Sequence, residues 1–293
     1  MTTNPPRLVH ADLSVTDARA HAQLEALRAR LAQLGSVVVC YSGGVDSAFV
    51  LQVAHEVLGA RAVGLTAVSP SLPPSEKQAA IELAQKLGAP HELVETHEID
   101  DPNYAGNPTN RCYFCKSELY KVAAEFAKAR GFAALANGTN VDDLGDHRPG
   151  LDAAREANVV SPLLDVGMTK ADVRLHAHSL GLPVWDKPAA ACLSSRLPYG
   201  TAVTRERLSQ IGGLEEELRA LGFRQLRVRW HDKVARIEVE ASEMARAFEP
   251  EIRNAMVAAG KRHGFAYVTL DLQGYRQGSH NELLVGNALR VLQ

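Results

Sequence analysis

The sequence predicts an α/β protein: a doubly wound parallel sheet followed by a smaller α+β domain. Three observations carry this reading. Val37, Val38, Val39 and Cys40 form a wholly apolar, mostly β-branched run, as a strand buried on both faces requires. Short apolar strands then alternate with helical patterns as far as about residue 185. Beyond Pro188 the alternation stops, and a helix, two strands, a helix and a strand follow. That order cannot extend a parallel sheet, so the expected domains are 1–199 and 200–293.

The elements follow in turn. Leu24, Leu27, Leu31 and Leu34 recur at helical spacing and predict a helix over 16–34, stopped by Gly35. After the strand at 37–40, a glycine-containing turn leads into a helix over 47–58. Strands are expected at 62–68, 91–96 and 133–136. Helices are expected at 75–87 with Ser75 as N-cap, at 112–130 before Gly131, and at 169–180 with a Thr cap. In the second domain, a helix over 204–221 precedes strands at 224–230 and 234–240, which flank a His231-Asp232-Lys233 turn. A helix over 242–259 and a strand over 265–270 complete it.

At about 150 residues per domain, 293 residues suit two domains. With 46% apolar and 23% charged residues, the chain is neither disordered nor a small disulfide scaffold. A net charge of −2 argues against a nucleic-acid-coating protein. No apolar run reaches the roughly 18 residues of a membrane span, and the first residues lack the apolar core of a signal peptide. A cytoplasmic location is therefore expected.

The strongest local signal is Ser42-Gly43-Gly44-Val45-Asp46-Ser47, between the first strand and its helix. Glycines let backbone N–H groups approach an oxyanion, and the helix N-terminus adds partial positive charge. Ser42 and Ser47 can donate to the same phosphates, and Asp46 reads as a Mg²⁺ contact. No Gly-Lys-Ser/Thr follows, so this is not a Walker loop. The plainer alternative is a tight, capped strand–helix turn. The string resembles the signature of the PP-loop ATP pyrophosphatases, which have an adenine nucleotide alpha-hydrolase-like fold. That resemblance implies ATP cleavage between the α and β phosphates, and an adenine pocket near Ala67, Val68 and Ser69. Asn137-Gly138-Thr139-Asn140-Val141-Asp142-Asp143 follows the fourth strand, at the sheet edge where ligands bind. Gly138, Asp142 and Asp143 join the candidate nucleotide site, against the alternative of a polar Asx turn.

Of four cysteines, Cys40 reads as a core residue. Cys112 and Cys115 form a Cys-x-x-Cys pair at a helix start, and Cys192 comes later. A thioredoxin-type disulfide would sit after the first strand, which this does not. Structural zinc needs a fourth ligand from a remote His. Three thiolates can also hold an iron–sulfur cluster with one iron open. Arg196, close in sequence to Cys192, is expected to favour its thiolate.

Three longer strings resemble the LarE family: Cys192 to Gly200, Asp142 to Gly150, and Leu270 to Ser279. The resemblance spans nearly the whole chain. It implies a sulfurtransferase of nickel-pincer cofactor (lactate racemase) biosynthesis. Such an enzyme adenylates the carboxylates of pyridinium-3,5-biscarboxylic acid mononucleotide and converts them to thiocarboxylates. Cys192 then corresponds to the sulfur-donor cysteine. With Cys112 and Cys115 present, the resemblance implies the members that use a 4Fe–4S cluster rather than sacrificing the cysteine's own sulfur. ATP, Mg²⁺, a sulfide source and a homo-oligomer are implied with it. No nucleic acid or membrane partner is expected.

Arg227 and Arg229 alternate on one strand and face one side, where with Arg196 they can grip a substrate phosphate, against the alternative of a solvated strand face. Asp271 and Arg276, in the C-terminal string, are placed with them. Glu206 is a candidate base or metal contact, or simply a helix N-terminal acid. His176 and His178 do not share a helix face, and His147 and His280 receive no role. Two other functions remain open at this point: a PP-loop tRNA 2-thiolation enzyme, and a non-catalytic adenine-nucleotide or metal sensor.

Overall fold

The computed structural model describes residues 13–145, 149–188 and 191–276. Asp146, His147, Arg148, Ala189, Ala190 and 277–293, which include the end of the C-terminal string (277–279) and His280, lie outside the described residues, as does 1–12.

Helix α1 (Leu13–Ala32) leads to β1 (Val37–Cys40), α2 (Val45–Leu58), β2 (Ala62–Val68), α3 (Pro74–Leu87) and β3 (His91–Glu95). Next come α4 (Pro102–Ala105), α5 (Arg111–Arg130), β4 (Ala134–Ala136), α6 (Pro149–Glu156), α7 (Pro162–Asp165) and α8 (Lys170–Ser179). The four strands are parallel, in the order β3-β2-β1-β4. Alternation along β1 separates two cores. Val37 and Val39 pack with Leu27 and Leu31 of α1, Phe49 of α2, Leu83 of α3 and Val173 of α8. Val38 and Cys40 face the other way, onto Tyr120 and Ala123 of α5 and Ala153 of α6. Both faces are thus covered, as the apolar run at 37–40 requires.

The second unit runs α9 (Arg205–Ala220), β5 (Leu226–His231), β6 (Val234–Val239), α10 (Met244–Ala247), α11 (Pro250–Arg262) and β7 (Tyr267–Leu270). β5 and β6 form an antiparallel hairpin whose turn places Asp232 at φ +53. β7 returns parallel to β6, making a mixed sheet. Its core of Leu208, Leu214, Val228 and Ile237 also takes in Ile99, Tyr104, Leu193 and Leu197, so it crosses residue 199.

Three details differ from the sequence reading. The cap of α3 is Pro73, not Ser75, because Pro74 at the first helical position has its φ preset and lacks the N–H that a cap would satisfy. Ser75 Oγ instead donates to Glu216 of α9 at 2.6 Å. The single helix expected over 242–259 is two, because Pro250 holds Glu249 in extended backbone (ψ 131). Helices α4, α6 and α7 were not expected; α4 and α7 have one turn each.

Candidate active site

The chain winds outward from β1 to β2 and β3, then returns to place β4 on the other side of β1. The loops after β1 and β4 therefore diverge around a crevice at the carboxyl edge, where open α/β sheets bind ligands. Both motif loops lie there. Gly44 caps α2 in extended backbone (φ −81, ψ 160) without a side-chain hydrogen bond, so the first amides of α2 remain available to an anion. Ser42 N donates to Ser47 Oγ at 3.1 Å, and the two hydroxyls lie 3.2 Å apart. Gly43, at φ +71, packs against α3, where a Cβ would come within 3.0 Å of Ala80 Cβ.

The loop after β4 is an Asx-stabilised turn that also serves the site. Asn137 accepts from Thr139 N at 3.0 Å, Asn140 from Asp142 N at 3.0 Å, and Asp143 from Asn140 N at 3.0 Å. Gly138 packs on the start of α2. Asp46 accepts from Asn140 Nδ2 at 3.2 Å and is paired with Lys170 Nζ. Asp142 accepts from the Lys170 amide at 2.8 Å. Lys187 pairs with Glu76 at 2.8 Å and points toward the Gly43 carbonyl at 3.5 Å. The loop has no Walker lysine of its own, yet α8 and the segment beyond it bring two ammonium groups to it. Ala67 and Val68 end β2 at the same edge and Ser69 follows, all half-buried.

The cysteines form a second locus. Cys112 and Cys115 open α5, exposed and half-buried respectively, and exposed Cys192 precedes a 3-10 turn at Leu193–Arg196. Burial, together with Glu98 and Cys192, pushes the Cys115 thiol up to about 12. Burial and the neighbouring Cys192 also raise Cys112. The three thiols are thus in electrostatic reach of one another. Among the described residues, however, no three His, Cys, Asp or Glu side chains already form a metal-binding group.

The guanidinium facing the Cys192 sulfur belongs to Arg111, with Nη2 3.9 Å from Sγ. Arg111 is buried, donates to Asn107 Oδ1 and to the Ser194 carbonyl (2.9 Å), and meets no carboxylate among the described residues. Arg196, expected to serve that thiol, is turned away from it. Its guanidinium forms a two-pronged pair with Glu215 (2.8 and 3.0 Å) and donates to the Ala191 and Cys192 carbonyls.

The remaining arginines converge on the same segment. Arg229 pairs with Glu238 at 2.9 Å and donates to the Ser195 carbonyl at 2.9 Å. Arg227 stacks over Tyr275, 5.1 Å from the ring centroid, and its pKa is lowered by burial and by Arg196. Arg196, Arg227 and Arg229 therefore lie together beside the Cys192 segment, with Arg196 and Arg229 answered by the buried carboxylates of Glu215 and Glu238. Asp271 pairs with Arg236 at 3.2 Å, and Arg276 is half-buried just beyond it in the chain. Glu206 is exposed in the first turn of α9.

The chain is similar in sequence to known proteins. The NAD synthase family model matches residues 21–135, the β1–β4 region. Uncharacterized protein slr1717 of Synechocystis is 47% identical over 262 residues, 89% of this chain and 98% of that one. The pyridinium-3,5-bisthiocarboxylic acid mononucleotide synthase of Lactiplantibacillus plantarum is 37% identical over 261 residues, 88% of this chain and 93% of that one. The chain belongs to the LarE family. Uncharacterized protein MJ0830 of Methanocaldococcus jannaschii is 27% identical over 240 residues. Among residues that stand at the two loci of this LarE-family chain, sequence reasoning passed over Arg111, Lys170 and Lys187. Arg111 adjoins Cys112 and Lys170 follows the Thr169 cap, so proximity to a motif was their available signal; Lys187 has none.

Proposed function

We propose that this chain is an ATP-dependent sulfur transferase acting on pyridinium-3,5-biscarboxylic acid mononucleotide. A substrate carboxylate oxygen attacks the α-phosphorus of ATP, and the bond to the β-phosphate breaks to release pyrophosphate. Sulfur then attacks the acyl carbon of the adenylate, and AMP leaves. The observation that carries this reading is the pairing of two loci in one chain of this family: an anion-ready loop at the sheet's switch point, and three thiols beside a guanidinium that has no carboxylate partner among the described residues.

In the first step, the α2 amides, Ser42 and Ser47 bind the phosphates. Lys170 and Lys187 supply the positive charge that the loop lacks. Asp46, with Asp142 and Asp143 nearby, suits Mg²⁺, an oxygen-seeking ion. Arg227 and Arg229 attract the substrate's own phosphate to the second locus.

Cys112, Cys115 and Cys192 are the residues that would hold a 4Fe–4S cluster, since the donor set is all thiol and Arg111 and Lys116 offset its negative charge. Such a cluster supplies an open iron at which sulfide from an external source can be held. Arg111 orients Cys192, and Arg196 and Arg229 hold its peptide carbonyls' neighbourhood in place.

The test is pyrophosphate and AMP release with ATP and Mg²⁺, with and without the pyridinium dicarboxylate. Release that requires this substrate, with thiocarboxylate formed, is the expected result. Release that requires tRNA, or none at all, overturns it. A Cys112→Ala variant with full multi-turnover activity, or a protein that gains no iron-dependent absorption on anaerobic reconstitution, overturns the cluster. Loss of H₂S from the mass of Cys192 after turnover would mean that the cysteine's own sulfur is spent.

A further inference from the structure

Three hydroxyls from distant segments meet in a closed ring beneath Cys192. Ser71 Oγ lies 2.6 Å from Tyr104 OH and 2.8 Å from Ser194 Oγ, and Tyr104 OH lies 2.7 Å from Ser194 Oγ. All three residues are buried, at 4%, 1% and 0% exposure. Each hydroxyl has one hydrogen, so a ring in which every member donates once and accepts once satisfies all three without water. Burial raises the Tyr104 phenol far above its usual range, which keeps its proton in the ring.

The ring joins parts that belong to different steps. Ser71 lies in the loop after β2, next to Ser69 and the end of the strand, and its amide donates to Ser69 Oγ at 3.3 Å. Ser194 lies two residues after Cys192. A backbone bond from Leu193 N to the Ser71 carbonyl, at 2.9 Å, runs alongside. Tyr104 belongs to α4, whose neighbours are zipped to the same donor segment: Gly200 N donates to the Asn107 carbonyl and Val203 N to the Ala105 carbonyl. No charged group takes part, and none of the three hydroxyls belongs to the phosphate loop or to the three thiols.

We infer that Ser71, Tyr104 and Ser194 are positioning residues that register the sulfur-donor segment against the nucleotide edge, coupling adenylation to sulfur transfer. The inference rests on the proposed function. An acyl adenylate that meets water before sulfur is hydrolysed, returning the carboxylate and AMP. A slack donor segment therefore leaks: pyrophosphate is released without thiocarboxylate. Misplacement on the order of 1 Å is enough to slow a positioned attack by up to about 100-fold.

The test uses the full-length chain and compares wild type with Tyr104→Phe, which keeps the ring volume and removes one hydroxyl. Ser71→Ala serves as a second variant if Tyr104→Phe does not fold. Pyrophosphate and thiocarboxylate are measured in the same reaction, together with the KM for ATP. The expected result is pyrophosphate release within about twofold of wild type and an unchanged KM for ATP, with thiocarboxylate per pyrophosphate lowered roughly tenfold. A purely structural role would lower both products together, and that outcome overturns the inference. An unchanged ratio overturns it as well. Wild-type protein that releases no pyrophosphate with the pyridinium dicarboxylate overturns the proposed function, and the inference with it.

Discussion

A Cβ on Gly138 would lie 2.7 Å from the Ser47 amide nitrogen and 3.0 Å from the Asp46 carbonyl carbon. The two loops of the nucleotide edge therefore touch backbone to backbone, and neither neighbour is a flexible side chain that can swing aside. Gly138→Ala is expected to cost about 1–3 kcal/mol of stability and to weaken ATP binding at least tenfold. Denaturant melts and nucleotide titration check it, and ATP binding at the wild-type level would refute it. At the other locus, Cys115 and Cys112 have raised thiol pKa values, so both are neutral at pH 7. A thiolate-binding metal must displace those protons. Affinity for Zn²⁺ or Fe²⁺ should therefore keep rising with pH beyond the roughly 8.5 at which an ordinary thiol has ionised. Isothermal titration in buffers of different ionisation heat reads the protons released. Affinity that is flat above that pH would contradict the assignment.

At the scale of elements, the 3-10 turn after Cys192 is held by α9. Arg196 and Glu215 are 1% and 0% exposed, and Glu215 also accepts from the Val228 amide of β5 at 3.0 Å. Burial alone would raise the Glu215 pKa, but Arg196, Val228 and Arg219 outweigh it and hold it below the usual carboxylate range. A depressed acid adds stability above its unfolded pKa and loses it as pH falls through the folded value. Wild type should thus weaken below about pH 4, the ordinary range for a free Glu. Glu215→Gln leaves Arg196 buried without its counter-charge, which costs about 3–5 kcal/mol at pH 7. The variant should also lose less stability than wild type between pH 4 and pH 2, as urea midpoints will record. This pair marks the limit of what the chain discloses by itself. The phosphate loop, the Asx turn and the Cys-x-x-Cys pair are legible because their chemistry is contiguous in sequence. Strand β1 is legible because burial on both faces leaves an unbroken apolar run, and β2 nearly so, its run broken by Thr66, whose hydroxyl donates to the Tyr41 carbonyl. Arg196 read as a partner of Cys192 because the two are four residues apart. Its buried neighbour Glu215 arrives from another helix, and no local pattern encodes that. Lys170 and Lys187 reach the loop by the same kind of long-range return.

For the molecule as a whole, the same contacts decide how far its two units are separable. The parallel sheet has its own cores on both faces, yet the second core draws Ile99 and Tyr104 from between β3 and α5, and Leu193 and Leu197 from the donor segment. Ser75 of α3 reaches Glu216 of α9, and Arg205 pairs with Asp100. The donor cysteine thus belongs to the sheet by the Ser71–Tyr104–Ser194 ring and to the second unit by Arg196 and Arg229. A fragment of residues 1–199 would retain every thiol and both phosphate-site loops. It would also expose that apolar set and strip Arg196 of its carboxylate partner Glu215. Its sheet is expected to form, because the cores around β1 remain intact. The donor segment is not expected to order, because half of its restraints lie beyond residue 199. The fragment should show native-like far-ultraviolet circular dichroism, bind a hydrophobic dye, and retain ATP affinity within about tenfold. It should transfer no sulfur, even when residues 200–293 are absent only from the fragment and not from the buffer. Cooperative unfolding of 1–199 with wild-type stability would show instead that the donor segment is ordered by the sheet alone, and that the second unit contributes substrate contacts but not the placement of Cys192.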